Sequence, residues 1–387
     1  MHAGAAGWLA SRFETSVTRA KQCNVMPFVY TGLPARVVFG FGTLADLANE
    51  IRGLGGSRAL LLCTPRQLRD VQALSIHLGH ACAGVFAQAV MHTPIEVTER
   101  ALIALRECRA DCIVALGGGS PIGLGKALAL RTDMLQIAVP TTYAGSEATP
   151  VLGETRDNIK TTQRSLAILP EMILYDVELS LTLPPSISAA SGLNAIAHAV
   201  EALYARDANP LTSSLAVQGI QALATALPTV VSAPRDRDAR AEALYGAWLC
   251  GVCLATVGMG LHHKLCHTLG GSFELPHAQT HAVLLPHAVA YNSAAAPAAM
   301  TRIARALGVV DAAQGLFDLA RRLDAPRSLE QLGMSRAALA HAADQALTDP
   351  YWSPRPIERE RILLLLEDAY LGRRPQSTST PQGDRHA

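Results

Sequence analysis

The first half of the chain alternates short apolar runs with longer stretches of helical spacing. The short apolar runs lie at 58–65, 84–87, 111–120 and 134–142. The helical stretches lie at 44–55, 66–80, 96–109 and just beyond Ser120. Glycine or proline closes most of the apolar runs, as is typical of strands buried on both faces, and their alternation with helices predicts a parallel, doubly wound sheet. The stretch 29–44 is predicted to be strand, turn and strand.

The pattern changes at Pro184 and Pro185, after which nearly every segment has helical spacing. Helices are predicted at 186–205, 210–233, 238–256, 258–270, 281–292, 297–307, 312–323, 335–347 and 356–371. The expected fold is therefore an α/β domain over 26–184 followed by an all-α domain over 185–372. The segments at the two ends, 1–25 and 373–387, are predicted to be disordered.

Composition narrows the class of protein. The chain has 387 residues, and its 33 lysines and arginines against 32 acidic residues leave a net charge of +1, which favours neither a nucleic-acid nor a membrane-surface partner. We find no uncharged apolar run of membrane-spanning length. The eight cysteines are dispersed through apolar segments, which is typical of core residues in a reducing compartment, so we expect a cytoplasmic protein. Cys250 and Cys253 form a C-x-x-C within an apolar helical pattern and are interpreted as core residues.

Six of the thirteen histidines lie between Gly260 and His287, in GLHHKLCHTLGGSFELPHAQTHAVLLPH. A seventh, His198, stands upstream in SGLNAIAHAVEALY. Imidazole exchanges protons near neutral pH and is the commonest metal ligand, so this cluster is where we expect the chemistry. The alternative is that individual members are helix caps or hydrogen-bonded core groups.

A glycine turn follows one predicted strand and opens a helix. Its residues are Gly117, Gly118, Gly119 and Ser120, and a helix N-terminus behind closely spaced glycines suits a pyrophosphate, although a tight turn alone would also explain it. A second polar turn, PTTYAGSE, follows the next strand and contributes Thr141, Thr142 and Ser146. Adjacent strand ends converge on one crevice, so together the turns predict a dinucleotide site. Thr64 stands where an NAD-selective acid is often found and Arg66 is near it, so NADPH is expected as well as NADH.

The longer motifs carry a resemblance. FVYTGLPARVVFG, ALGGGSPIGLGKALAL, PTTYAGSEATP, SGLNAIAHAVEALYA, the histidine-rich stretch and SPRP resemble the iron-containing alcohol dehydrogenase superfamily over about Phe28 to Pro375. Within it they are most similar to the branch that reduces maleylacetate. The resemblance implies an N-terminal NAD(P)-binding domain, a helical catalytic domain and a homodimer.

The resemblance also implies a position for a metal ion, and this sequence departs from the family pattern at two residues. Metal-dependent members hold a divalent ion with one Asp and three His, and the matching positions here are Asn194, His198, His263 and His277. Asn194 replaces the acid, and Gly123 replaces a second Asp that relatives carry after GGGS. A neutral amide is a weak ligand, so we expect a metal not to be required; if a metal binds, His198, His263 and His277 would hold it.

The activity implied is reduction of the maleylacetate C=C bond, and of chlorinated analogues, to 3-oxoadipate during breakdown of aromatic compounds. His263 is expected to contact the developing oxyanion, as a protonated imidazole, and His198 or His277 to deliver the proton. Lys264 and Arg355 are candidates for the two substrate carboxylates. The site residues Tyr143 and Lys160 are expected beside substrate and nicotinamide ribose respectively; core packing is the alternative for Tyr143.

Three other functions remain open at this point. A metal-dependent alcohol or polyol dehydrogenase would reduce a carbonyl, and would need bound zinc or iron. A lyase similar to dehydroquinate synthase would use NAD only transiently, but the sequence offers no counterpart of its basic phosphate site. A non-catalytic nucleotide-binding protein would not need the histidine cluster.

Overall fold

The computed structural model describes residues 27–33, 35–157 and 159–376, with only the backbone at 159 and 160. The prediction for 1–25 therefore lies outside the described residues, as does 377–387 of the predicted tail 373–387. Residues 373–376 of that tail are described and have no regular secondary structure. Residues 27–30 belong to a separate unit and have no regular secondary structure. The described residues from Thr31 onward belong to one compact unit that includes both the sheet and the helices, so the domain division at 184 stays a prediction.

The described residues form eight strands and fourteen α-helices. The strands are β1 Arg36–Gly40, β2 Ala59–Leu62, β3 Cys82–Phe86, β4 Cys112–Gly117, β5 Leu135–Pro140, β6 Val151–Arg156, β7 Ile159–Arg164 and β8 Met172–Asp176. The helices of the first half are α1 Leu47–Gly53, α2 Leu68–Leu78, α3 Ile95–Glu107, α4 Gly119–Thr132 and α5 Val177–Ser180. Those of the second half are α6 Pro185–Ala202, α7 Pro210–Ser232, α8 Arg237–Thr256, α9 Leu261–Ser272, α10 His277–Asn292, α11 Pro297–Leu307, α12 Ala312–Arg322, α13 Leu339–Leu347 and α14 Arg359–Leu371.

Six strands form a parallel sheet in the order β1-β8-β5-β4-β2-β3. Alternate side chains of each strand enter different cores: Leu61 packs with α1 and α2 on one face, and Leu60 and Leu62 pack with α3 and α4 on the other. Because both faces are covered, the strands are continuously apolar, which confirms the predicted doubly wound sheet.

Three strands were not predicted, and one predicted strand is absent from the described residues. The hairpin β6–β7 and the strand β8 were not predicted, and 29–44 holds one strand, β1, in place of two. The hairpin is polar along much of its length, as in VLGETRDNIKTTQR, so no apolar run marks it. β8 is fully buried, but it inserts between β1 and β5, a non-local pairing that periodicity cannot specify.

The second half is all helical, as predicted. Its central helix α6 is buried along most of its length and packs against α7, α8 and α10. A second apolar cluster joins α9 and α10 to α13 and α14. Among the described helices, α7 is uncharged and long enough to cross a membrane, which differs from our expectation. Ala216, Ile220 and Leu223 of α7 are nevertheless buried in the protein core, where an uncharged helix needs no membrane.

Candidate active site

The glycine turn closes β4 and opens α4. Gly117 has φ +144°, and a Cβ there would lie 2.8 Å from both Gln67 Oε1 and Pro121 Cγ, so a side chain fits neither the conformation nor the space. A Cβ on Gly118 would lie 3.1 Å from Thr142 Cγ2 of the second turn. Gly119 meets nothing within 4 Å and is exposed at the start of α4. The two predicted turns therefore lie together, with an open helix N-terminus between them.

Gln67 joins three strand ends, a role the sequence analysis missed. Its Oε1 accepts from Thr64 Oγ1 at 2.8 Å, after β2, and its Nε2 lies 3.5 Å from Thr141 Oγ1, after β5. The same amide borders Gly117 at the end of β4. Arg66 is exposed. A glutamine three residues after a threonine is a capping pattern, which was the signal in the sequence.

The side chain of Lys126 stabilises the second turn by hydrogen bonds. Its ammonium group, fully buried, donates to Thr149 Oγ1 at 2.9 Å, Val151 O at 3.0 Å and the carbonyl of Ser146. Burial lowers the pKa of Lys126 to about 7, and the charge of Glu147 acts in the opposite direction. Lys126 thereby holds Ser146 in place, and Thr141, Thr142 and Ser146 are all half-buried at the crevice.

A chain of four buried side chains forms the centre of the helical half. Glu201 Oε2 accepts from His263 Nδ1 at 2.6 Å, and His263 Nε2 lies 2.9 Å from His198 Nδ1. His198 Nε2 lies 3.4 Å from Asn194 Nδ2 and 3.3 Å from Ala144 O of the second turn. Asn194, His198 and Glu201 stand at i, i+4 and i+7 on α6, so they share one face, and α9 supplies His263.

Glu201 is the residue of this chain that the sequence analysis overlooked. Its carboxylate also accepts from Gly260 N at 2.8 Å and His262 N at 2.7 Å, so it caps the beginning of α9. Burial raises the pKa of Glu201 to about 7, and hydrogen bonds from the backbone N–H groups of Gly260, His262 and His263 oppose that shift. The signal was present in the motif HAVE, which places an acid three residues after His198.

Burial also determines the charge of the histidines. It lowers the pKa of His263 to about 3, and burial followed by the neighbouring imidazoles lowers that of His198 well below its ordinary value. His263 is therefore neutral in the resting protein, because a fully buried imidazolium loses its hydration, and its protonation beside the developing oxyanion stays a prediction.

Two further histidines lie at the exposed rim. His277 begins α10, and its ring is stacked on that of His267 with the centroids 6.4 Å apart. His267 Nδ1 lies 3.1 Å from the hydroxyl of Tyr351. The ring of His277 also contacts that of buried His281 at 4.4 Å, so it connects the surface with the buried cluster.

The predicted substrate residues occupy different environments. Lys264 Nζ donates to Thr348 O at 2.6 Å, and Arg355 donates to Tyr291 O at 3.2 Å, both between helices of the second half. Tyr143 is fully buried, and its hydroxyl accepts from Arg240 at 3.1 Å, so it belongs to the core and not to a pocket wall. Lys160 lies on β7, and its side chain is outside the described residues.

The class of protein is defined by two features together. One is a doubly wound sheet with an open glycine turn, and the other is the set of helices after it that carry buried histidines. Residues 34–177 match the family model of iron-containing alcohol dehydrogenase, and residues 188–370 match that of the Fe-containing alcohol dehydrogenase family, C-terminal. The chain belongs to the iron-containing alcohol dehydrogenase family and is an oxidoreductase.

Individual relatives narrow the comparison. A maleylacetate reductase from Rhizobium sp. (strain MTP-10005) is 57% identical over 352 residues, covering 91% of this chain and 100% of that protein. The solved structure of maleylacetate reductase from Agrobacterium tumefaciens has a TM-score of 0.88 at 58% identity, covering 90% and 100% of the two chains. An iron-containing alcohol dehydrogenase from Corynebacterium glutamicum is similar at 42% identity and a TM-score of 0.86, covering 89% of this chain and 97% of that one.

The family name raises the question of whether these residues fit a metal. His263 Nε2 is bonded to His198 Nδ1, and His198 Nε2 faces the amide of Asn194, so two of the candidate imidazoles bind protein groups with the nitrogens an ion would use. None of the matched positions supplies an anionic ligand, since Asn194 stands in place of the acid. The matched positions therefore offer three imidazoles and a neutral amide, a weaker donor set for a divalent ion than one Asp with three His.

Proposed function

We propose that this chain uses NADH or NADPH to reduce the C=C bond of maleylacetate, giving 3-oxoadipate, and that turnover needs no metal. The observation that carries the second part is the hydrogen-bonded chain from Glu201 through His263 and His198 to Asn194. The substrate rests on similarity to maleylacetate reductases over nine-tenths of the chain. The proposal includes a cytoplasmic homodimer, with no nucleic-acid or membrane partner, that serves the degradation of aromatic compounds and also accepts chlorinated maleylacetates.

The dinucleotide would be held at the exposed N-terminus of α4. When bound, the reduced nicotinamide supplies a hydride for the alkene carbon β to the ketone. Gly117, Gly118, Gly119 and Ser120 leave room for the pyrophosphate beside free backbone N–H groups. Thr141, Thr142 and Ser146 line the same crevice, and Lys160 is proposed for the nicotinamide ribose.

His198 can hold or release a proton at Nε2 with a partner in either state. When Nε2 is bare, the amide of Asn194 can donate to it across 3.4 Å. When Nε2 is protonated, the carbonyl of Ala144 can accept from it across 3.3 Å. An aspartate at position 194 would lack the donor for the bare form. This pairing supports general acid–base work by His198, and it gives Asn194 a function of its own.

Glu201 sets the tautomer of His263. The carboxylate accepts two backbone N–H groups, so it also accepts from His263 Nδ1, which leaves His263 Nε2 to accept from His198 Nδ1. Negative charge that develops on the ketone oxygen of the substrate would favour a proton on these buried imidazoles, since it offsets part of their desolvation. We therefore keep His263 and His198 as the groups that stabilise the oxyanion.

After the hydride has been transferred, one proton must reach the carbon next to the ketone. His277 is exposed and its ring contacts the buried cluster, so it is our candidate for exchange with solvent. We propose that the cationic side chains of Lys264 and Arg355 recognise the two substrate carboxylates.

The test follows reduced-nicotinamide absorbance with chelator-treated full-length protein whose metal content has been measured. Net oxidation on addition of maleylacetate, with 3-oxoadipate as product and no response to added zinc or iron, is the expected result. A requirement for zinc or iron would overturn the metal-free part and favour the metal-dependent dehydrogenase. No oxidation with or without metal would overturn the substrate, and turnover without net oxidation would favour a lyase.

A further inference from the structure

A second group of metal-ligating side chains lies below the Glu201–His263–His198 chain. His262 and Cys266 stand one turn apart on α9, and His281 faces them from α10. His262 Nε2 lies 2.9 Å from His281 Nδ1 and 3.6 Å from Cys266 Sγ. Within the described ranges this is the one trio of His, Cys, Asp or Glu found with its ligand atoms all within 4.8 Å of one another.

We propose that His262, Cys266 and His281 bind a zinc-like divalent transition-metal ion that links α9 to α10 and is separate from the catalytic histidines. The donor set of two imidazoles and one thiolate matches the preference of zinc and cobalt. Neither the imidazole of His262 nor the thiol of Cys266 takes part in the hydrogen-bonded chain proposed for catalysis.

Two of the three distances between ligand atoms are close to those of a tetrahedral site, and the third is within 4.8 Å. Zinc–nitrogen bonds of about 2.0–2.1 Å and zinc–sulfur bonds of about 2.3 Å place neighbouring ligand atoms roughly 3.3–3.6 Å apart. The sulfur-to-nitrogen distance of 3.6 Å already has this value. The two imidazole nitrogens, at 2.9 Å, would separate by roughly 0.4 Å, a small rotation of side chains.

The imidazoles are poorly satisfied by the protein alone. His262 and His281 are both fully buried, and one bond connects their inner nitrogens. Among the described residues, His262 Nδ1 and His281 Nε2 have no hydrogen-bond partner. An ion bound by the inner nitrogens would replace their one shared hydrogen bond with two metal–nitrogen bonds, and each imidazole would then carry its proton on the outer nitrogen.

The local charge also suits a cation. His262 and His281 are fully buried, and the neutral imidazole is the form that binds a metal ion. Burial raises the pKa of Cys266, and the charge of Glu201 raises it further, so the thiol keeps its proton without an ion. On binding, the S–H bond breaks, the proton leaves to solvent and a metal–sulfur bond forms. A divalent ion, the thiolate and the nearby Glu201 carboxylate then sum to zero.

Cobalt is the probe, because a thiolate ligand gives an intense near-ultraviolet charge-transfer band that nitrogen and oxygen ligands do not give. We expect titration of the chelated full-length protein with Co²⁺ to produce this band, to saturate at one ion per chain and to reverse with Zn²⁺. Cys266→Ser should abolish it. Cys82→Ser, which changes a half-buried thiol on β3, should leave it unchanged and so controls for adventitious thiol binding.

Two results would overturn the proposal: no charge-transfer band in protein whose thiols are shown to be reduced, or a band that persists in Cys266→Ser. X-ray absorption of the zinc-loaded unmodified protein keeps the test open if that variant does not fold. One sulfur at about 2.3 Å is expected, and a shell of nitrogen and oxygen alone would place the ion elsewhere. The inference does not depend on the proposed reductase activity, since no substrate is used.

Discussion

Replacing Glu201 with Gln tests whether the carboxylate acts on catalysis through the orientation of His263. The carboxylate accepts from Gly260 N, His262 N and His263 Nδ1, two on Oε2 and one on Oε1. An amide offers one oxygen. If that oxygen takes the place of Oε2, the NH₂ group faces His262 N–H; if it takes the place of Oε1, the NH₂ group faces Gly260 N–H and His263.

Either orientation leaves at least one buried N–H group without an acceptor, which costs about 1–3 kcal/mol of folding stability. We therefore expect Tm to fall by a few degrees. In the second orientation the amide donates to His263 Nδ1, so His263 Nε2 carries the proton and the bond to His198 reverses direction. Loss of the correct tautomer is expected to lower kcat by about 10²-fold or more, because general acid–base steps contribute about 10²–10⁴-fold.

The assay is steady-state oxidation of reduced nicotinamide with maleylacetate, together with the affinity for the dinucleotide by fluorescence titration. We expect kcat to fall while the dinucleotide dissociation constant stays within about threefold, since Glu201 lies away from the crevice. Glu178→Gln is the matched control: it changes a half-exposed carboxylate paired with Arg237 and should leave both unchanged. A folded Glu201→Gln protein with kcat within about threefold of the original would refute the orienting role.

Three further predictions concern Asn194, Gly123 and Lys126. Asn194→Asp replaces the donor to His198 Nε2 with an acceptor, so the kcat of the chelator-treated protein should fall at least about tenfold. The variant should also bind zinc more tightly, measured by competition with a chromophoric chelator. Unchanged activity would contradict the role of the amide. Gly123→Ala places a Cβ 2.6 Å from Thr93 Oγ1 and should cost about 1–3 kcal/mol, read from urea midpoints, whereas Gly123→Ala combined with Thr93→Ser should not recover it because the hydroxyl remains. The pKa of Lys126 in the folded protein is lowered to about 7, so above pH 7 the unfolded chain holds a proton that the folded protein has lost, and stability rises from about pH 7 towards pH 10. Lys126→Met should remove that rise, measured as urea midpoints across this pH range. An identical pH slope in the variant would be inconsistent with the buried amine.

Local pattern was sufficient for much of the fold. Buried parallel strands are apolar throughout, and surface and core helices repeat every three to four residues, so β2 to β5 and most helices of the second half were predicted. The predicted beginning of α10 at residue 281 was wrong, since the helix begins at His277 after Pro276. Proline is common at the beginning of a helix, as Pro276 is here. Gly270 and Gly271, shortly before it, made the beginning of α10 hard to place from the sequence.

The sequence by itself determined which chemical groups are available: the glycine turn, the cluster of histidines and the amide at position 194. Those are identities of residues and their spacing along one element, and both can be read from the chain. His198 and Glu201 share a face of α6 for the same reason.

Only the tertiary structure decided which groups meet and which are charged. The bond of His198 to His263 spans two helices, the burial of Tyr143 depends on Arg240 from α8, and Cys266 meets His281 only because α9 packs on α10. The pKa of a buried histidine or lysine is set by how much water the surrounding elements exclude. Exclusion of water and contacts between distant segments are properties of the packed chain, so no local pattern contains them.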